Sequence, residues 1–226
     1  VAIDIRDHIE QFTIFQELPE QTVHELLEHA YIREYKKGEM LYHAGQLRDR
    51  IFFSINGYVR QERISLEGNI HTTFYMKPYS MFPYAGLFED KLYSFSCLAM
   101  TNVTTFYIPR NKFEEMISQN AMALINIIKV LNQTIIHVER RVRYVNHPLA
   151  SERVRRLLAY LIRLIGEKKD EYIIIPCPIT TQDLAYMSGT TRETVSHNLH
   201  EYMNRGLICM NSKVITIKVP SFFDVD

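Results

Sequence analysis

"ITTQDLAYMSGTTRETVSHNLHEYMNRGLICMNSKVITI", Ile179–Ile217, reads as a helix, a tight turn, a second helix and a hairpin. Thr180 with Asp183 three residues on is a capping-box variant; Leu184 is apolar, Ala185 is small where helices cross, and Gly189 permits the turn. The second helix is expected from about Thr191. Val195, Leu199 and Tyr202 or Met203 then fall on one side at helical spacing, and Arg192, Glu193, Ser196, His197 and His200 on the other. Arg can donate two bonds to guanine O6 and N7, and Glu can accept from cytosine N4, so this polar stripe suits a major groove. Placing such groups in the first turns of the second helix is the docking geometry of a helix-turn-helix. "GLICMNSKVITI" adds a β-hairpin turning near Asn211 and Ser212, a wing.

Upstream, "YIIIP" reads as a short strand, and before it Val154, Leu157, Leu158, Leu161, Leu164 and Ile165 give a helix one apolar side until Gly166 and the polar "EKKDE" end it. Pro148 separates that helix from a longer one, which puts a hinge near Asn146 to Leu149. In the longer helix Leu124, Ile128, Leu131, Ile135, Val138, Val142 and Val145 step alternately by four and three, a heptad seam. β-Branched Ile128, Ile135 and Val142 at a, with Leu124, Leu131, Val138 and Val145 at d, favour a parallel two-stranded coil. A second copy of the chain is the expected partner.

From Tyr31 to Ile108 the texture is different. Short apolar or alternating runs are punctuated by Gly38, Gly45, Gly57 and Gly68, and "CLAMTNVTTFYIP" supplies closing strands. Regular short strands with glycine turns indicate a β-sandwich or barrel-like roll. The first thirty residues look helical, with Val23, Leu26, Leu27 and Ala30 on one face after Pro19.

With 226 residues, 46% hydrophobic and 23% charged, the chain has the composition of a folded protein of one large or two modest domains, and not of a disordered one. No uninterrupted apolar run approaches the roughly eighteen residues of a membrane span, and "VAIDIRDHIEQF" carries acids where a signal peptide is apolar; a cytoplasmic protein with no membrane partner is the expectation. Cys97, Cys177 and Cys209 are widely spaced, without metal or disulfide patterning, and are expected as buried thiols. Net charge is formally zero, so any field attracting nucleic acid must be local. Arg140, Arg141, Arg143, Arg153, Arg155, Arg156 and Arg163 supply one candidate, for phosphate contacts.

A helix-turn-helix with a wing, preceded by a glycine-punctuated roll and a heptad helix, resembles the Crp/Fnr family of bacterial transcription regulators. "LAYMSGTTRETVSHNL" is close to that family's DNA-reading pattern, and "YKKGEMLYHAGQLRDRIFFSINGYVR" and "LEGNI" resemble its sensory roll. The resemblance spans nearly the whole chain. It implies an α+β fold: an N-terminal double-stranded β-helix, the cyclic-nucleotide-binding-like β-roll, over 1–110; a long dimerisation helix over 111–146; and a C-terminal winged helix-turn-helix over 147–226. It implies a homodimer on an inverted-repeat DNA operator with a TGA-like half-site, met by Thr191, Arg192, Glu193, Ser196 and His197, with RNA polymerase as a further partner. Two positions depart from the pattern. His197 stands where an arginine directed at guanine is common, and Asn198 where an apolar residue is usual.

Cyclic-nucleotide members of the family hold the phosphate with a Gly-Glu pair and an Arg-Ser or Arg-Thr pair. Pro83 and Tyr84 stand at the first place and Tyr93 and Ser94 at the second, while Val138 and Glu139 replace the central-helix pair that meets the base. A buried phosphate without an arginine partner is costly, so cyclic AMP is not expected in the ordinary mode. Nothing in the Cys and His spacing calls for haem, an iron–sulfur centre or another cofactor. The aromatics Tyr79, Phe82, Tyr84, Phe88, Tyr93 and Phe95 either fill the roll or, with Ser94 and Glu139, line a site for an apolar or aromatic effector. Two other classes of function stay open: a cupin-like metal enzyme, for which His43 and His71 lack the HxH pattern, and a non-DNA interaction module.

Overall fold

The computed structural model describes residues 4–65 and 71–224. Gly68 and the rest of "LEGNI" lie outside the described residues. The chain divides into two compact units, Val1–Gln61 with Met76–Ile136, and Glu62–Tyr75 with His137–Asp226.

The first unit begins with 3-10 helices at Ile5–Gln11 and Thr13–Phe15 and an α-helix, α1, at Glu20–Leu27. Only α1 meets the expectation of a helical start. Ile9, Phe12, Ile14 and Phe15 are all buried, which a single helix face could not achieve at that spacing. The strands up to Pro109 are β1 (Tyr31–Tyr35), β2 (Met40–Tyr42), β3 (Arg50–Asn56), β4 (Val59–Ile64), β5 (His71–Met76), β6 (Met81–Phe82), β7 (Ser96–Ala99) and β8 (Val103–Pro109), of which the end of β4 and nearly all of β5 fall in the second unit. They form two four-stranded sheets, ordered β1-β8-β3-β6 and β2-β7-β4-β5, as a roll of glycine-turned strands should. At the β3–β4 turn Gly57 has φ of 81°, and a Cβ there would lie 2.2 Å from the Asn102 carbonyl oxygen, so no other residue fits.

β3 is covered along almost its whole length, which its apolar "RIFFSI" run permits. Phe53 stacks on Phe106 with centroids 4.7 Å apart, and Phe12 meets both rings edge-on. The core continues into the helices through Leu26, Phe113, Ile117, Ala123 and Ile127. Residues 111–146 hold two helices and not one: α2 at Arg110–Ser118 and α3 at Ala121–Val145. Asn120 marks the break, its side chain accepting from Ala123 N at 3.0 Å as a helix N-cap does.

An 18-residue window of α3 reaches a mean hydropathy of 1.4, so by length and composition this helix could cross a membrane. Asn126, Lys129, Asn132, Gln133 and Thr134 interrupt it, so the reading that no uninterrupted apolar run approaches a span stands, and one such helix alone is weak evidence of a span. Asn126 is itself buried and donates to the Gln16 carbonyl at 2.6 Å.

The second unit holds α4 (Ala150–Ile165), β9 (Glu167–Lys169), β10 (Tyr172–Ile175), α5 (Thr181–Ser188), α6 (Arg192–Asn204), β11 (Ile208–Asn211), β12 (Val214–Ile217) and α7 (Pro220–Phe223). Its sheet runs β11-β12-β10-β9, so the wing hairpin is extended by a second hairpin. "EKK" was expected only to end α4. Instead it pairs with β10 as an edge strand exposed along its whole length, which leaves no alternation to read.

Candidate nucleic-acid interface

Thr180 accepts from Asp183 N at 3.0 Å while Asp183 accepts from Thr180 N at 2.9 Å, a complete capping box that fixes the start of α5. α5 ends at Gly189, whose φ of 60° and ψ of 41° are the left-handed conformation that turns the chain. Thr191 then caps α6 by accepting from Thr194 N at 3.2 Å.

The two sides of α6 divide as the spacing predicts. Val195, Leu199 and Tyr202 are buried, with Tyr202 edge-on to Phe222 and Phe223 of α7, and burial pushes its hydroxyl up to about 12. Arg192, Glu193, His197 and His200 are exposed and Ser196 is half-buried. Among the described residues, no side-chain hydrogen bond or ion pair engages Arg192, Glu193, Ser196, His197 or His200. Asn198 is buried on the apolar side, and its amide donates to the Thr194 carbonyl at 2.8 Å. That bond satisfies one of the amide's two donors where it sits among apolar neighbours. The wing turns at Ser212 and Lys213, both at positive φ. Cys209, on β11, is exposed and so departs from the expectation of three buried thiols; its place in the strand's alternation points it outward.

The arginine cluster is mostly committed elsewhere, contrary to the expectation of phosphate contacts. Arg153 donates through Nε to Ser188 O at 3.0 Å, through Nη2 to Gly189 O at 3.1 Å, and through Nη1 to His147 O and Pro148 O at 3.0 and 3.2 Å. One guanidinium thus joins the segment before α4 to the turn between α5 and α6. Arg155 grips Glu152 and donates to Phe222 O at 3.0 Å, and Arg156 lies 3.5 Å from the same carboxylate. The Arg155 hydrogen bond holds the Glu152 carboxyl below the usual carboxylate range. Arg141 donates to Thr73 O at 2.6 Å and Arg163 to the Tyr144 hydroxyl at 3.3 Å. Of the seven, Arg140 and Arg143 alone make no side-chain hydrogen bond or ion pair among the described residues. A planar five-donor fork can serve several backbone carbonyls at once, and sequence spacing carries no sign of where it points.

In the seam of α3, Ile128, Ile135, Val138 and Val142 are exposed, Ile128 to 63%. Leu124 and Leu131 instead pack partly against the roll's core, and Val145 is half-buried in the second unit.

The suggested effector residues separate. Phe82 is fully buried and stacks on Phe52, which stacks on Tyr42, which stacks on the buried Tyr93 at 4.0 Å. Burial raises the Tyr93 hydroxyl well above its ordinary range, and it donates to the Arg50 carbonyl at 3.2 Å. Burial raises the Tyr84 hydroxyl, an effect that the Thr134 side chain opposes. Ser94 is exposed and donates to Asp90 at 3.4 Å. Glu139 is exposed and belongs to the second unit. Tyr79 and Phe88 also face outward. Beside the ladder an open cavity of about 330 Å³ is lined by Tyr42, Phe52, Tyr93, Gln46, Asp49 and Arg50, among others.

Sequence reasoning missed Arg48. Its buried guanidinium donates to the carbonyl oxygens of Gly86 and, at 3.3 Å, of Pro83, and burial lowers its pKa. Arg110 adds a bond to Asp90 O at 2.6 Å, and Glu114 accepts from Phe88 N at 2.9 Å. The 83–90 segment is therefore held by side chains of its own unit. A lone arginine in a loop that follows glycine gave no signal of this role. Among the described residues, no group of three or more His, Cys, Asp or Glu side chains could hold a metal ion.

Comparison with known proteins decides the assignment. Residues 32–120 match the cyclic nucleotide-binding domain, and residues 155–221 match the Crp-like helix-turn-helix domain. The chain belongs to the Crp/Fnr family of transcription regulators. Among curated relatives, the HTH-type transcriptional regulator ArcR of Staphylococcus epidermidis is 29% identical over 184 residues, covering 81% of this chain and 80% of the relative. Among solved structures, FixK2 from Bradyrhizobium japonicum superposes with a TM-score of 0.72 at 18% identity, covering 86% of this chain and 95% of that one. The c-di-GMP responsive global regulator CLP of Xanthomonas campestris gives 0.70 at 17% identity, covering 88% and 99%. As a Crp/Fnr member the chain is a DNA-binding transcription regulator, and the α+β roll with a winged helix-turn-helix is the family's fold.

Proposed function

We propose that this Crp/Fnr regulator binds DNA as a homodimer, each protomer setting α6 into the major groove of one half of an inverted repeat. Thr191, Arg192, Glu193, Ser196 and His197 are the reading residues. The observation that carries this is the concentration of unengaged polar side chains on the outer side of α6, with caps and core fixed beneath them. Arg192 suits guanine O6 and N7 and Glu193 suits cytosine N4, which favours a TGA-like half-site. Arg140 and Arg143 are the members of the cluster left for phosphates.

Dimerisation through Leu124, Ile128, Leu131, Ile135, Val138, Val142 and Val145 is supported by the exposure of four of them in one seam, since a row of bare isoleucine and valine side chains gains by burial against its copy. The functional divisions are taken as 1–110, 111–146 and 147–226, with the second including all of α2 but its first residue. RNA polymerase is a further partner by family membership.

The roll is read as filled by its own aromatics, so that DNA binding does not await a cyclic nucleotide. The Phe82–Phe52–Tyr42–Tyr93 ladder and the bonds of Arg48 support that choice. A second reading, an apolar or aromatic effector in the roll, is favoured by the cavity lined by Tyr42, Phe52 and Tyr93; of the residues suggested by the sequence only Tyr93 lines it.

In vitro selection from a random duplex pool tests the DNA reading. It should recover inverted repeats whose half-sites lie about one helical turn apart. Recovery of unrelated sequences would overturn it.

A further inference from the structure

His197 is exposed one turn after Glu193, and among the described residues its imidazole has no hydrogen bond or ion pair. α4, α5 and β11 pack against α6. The charged and titratable groups they bring are occupied or remote in kind. On α5, Asp183 closes the capping box, and Tyr186 has a partner of its own. On α4, Arg153 holds backbone carbonyls, Glu152 binds Arg155 and Arg156, Tyr160 packs edge-on with His137, and Arg163 meets Tyr144. β11 carries Cys209, and the wing turn beyond it Lys213. α6 itself carries Arg192, Glu193 and His200, and its Glu201 is paired with Arg205 at 2.9 Å.

A neutral imidazole offers one donor and one acceptor, whereas the protonated ring offers two donors and a positive charge. The guanine edge in the major groove presents two acceptors, N7 and O6, and a phosphate presents acceptors alone. The protonated ring is thus the better match to guanine or to a phosphate opposite this part of α6, the neutral ring to the mixed edge of adenine. An arginine there would carry that charge at all relevant pH values, but an imidazole changes charge between about pH 5 and 8.

We propose that His197 is a specificity-determining residue that makes operator binding proton-linked, up to one proton per protomer being taken up as α6 enters the groove. The proposal rests on the DNA-reading role of α6. Because the bound state favours the protonated ring, the gain is complete at low pH and is lost as pH rises through neutrality.

The test uses full-length protein and a duplex recovered by the selection described above, with affinity measured at constant salt at pH 6, 7 and 8. The wild type should lose about tenfold or more in affinity per protomer across this range. His197→Gln should bind with a flat profile. His197→Arg should be flat on a guanine-containing site, and His200→Gln should keep the wild-type slope. A slope that survives in His197→Gln, or disappears in His200→Gln, overturns the proposal while leaving the DNA reading intact. A wild type that binds without a slope does the same. Absence of binding to any duplex at all three pH values overturns both.

Discussion

Arg153 and Gly189 are joined by a hydrogen bond of 3.1 Å from guanidinium to carbonyl, and the same guanidinium holds Ser188, His147 and Pro148. The turn between α5 and α6 and the segment that leads into α4 therefore share one side chain. Arg153→Ala leaves four carbonyls without this partner and should destabilise the second unit by about 3 kcal/mol. Arg153→Lys should recover only part of that, since an ammonium cannot span the fork's four acceptors. Urea unfolding of the three proteins checks both statements.

The capping box gives a smaller and separable effect. Thr180→Ala should cost about 1 kcal/mol, and Asp183→Ala a similar amount. Because the two side chains bond to each other at 2.6 Å, the double variant should cost less than the sum. Thermal unfolding monitored by circular dichroism on the four proteins of that cycle measures the coupling.

The seam of α3 predicts an assembly effect without a folding effect. Ile128→Glu places a charge at a position 63% exposed in the single chain, so the protomer should keep its helix content. In a two-stranded coil the same change sets like charges opposite each other, and sedimentation velocity at micromolar concentration should show a dimer become a monomer. A variant that stays dimeric would move the interface elsewhere.

Acid should loosen the second unit through Glu152. Its carboxyl is held below the ordinary range, chiefly by the Arg155 hydrogen bond, so its stabilising contribution is present above the unfolded carboxylate range and is lost as pH falls through the lowered value. Glu152→Gln should be less stable than wild type near neutrality and should converge with it in acid. The comparison of urea midpoints at pH 7 and in the acid range decides it.

The winged helix-turn-helix was legible because each signal in it is local. Thr180 and Asp183 cap, Gly189 turns, and Val195, Leu199 and Tyr202 repeat at helical spacing. The roll was legible from its glycines. The break between α2 and α3 was missed although Asn120 was there to cap the second helix, because the apolar pattern runs on across it and neither Pro nor Gly interrupts. β9 was missed because its three residues are all exposed. The roles of Arg153 and Arg48 could not be read at all: each depends on which backbone carbonyls the fold gathers around a long side chain, and neither composition nor period records that. Asn198 looked out of place in the sequence and is accounted for by one bond to Thr194.

The most direct test of the central claim is the affinity of full-length protein for a selected inverted-repeat duplex and for its scrambled counterpart, for wild type and for the Arg192→Ala, Glu193→Ala double variant, by fluorescence anisotropy at physiological salt. The wild type should prefer the repeat by about a thousandfold or more. The double variant should lose most of that preference while keeping its folded state and its weak, salt-sensitive binding to any duplex. Equal preference in the two proteins, or none in the wild type, would contradict the account.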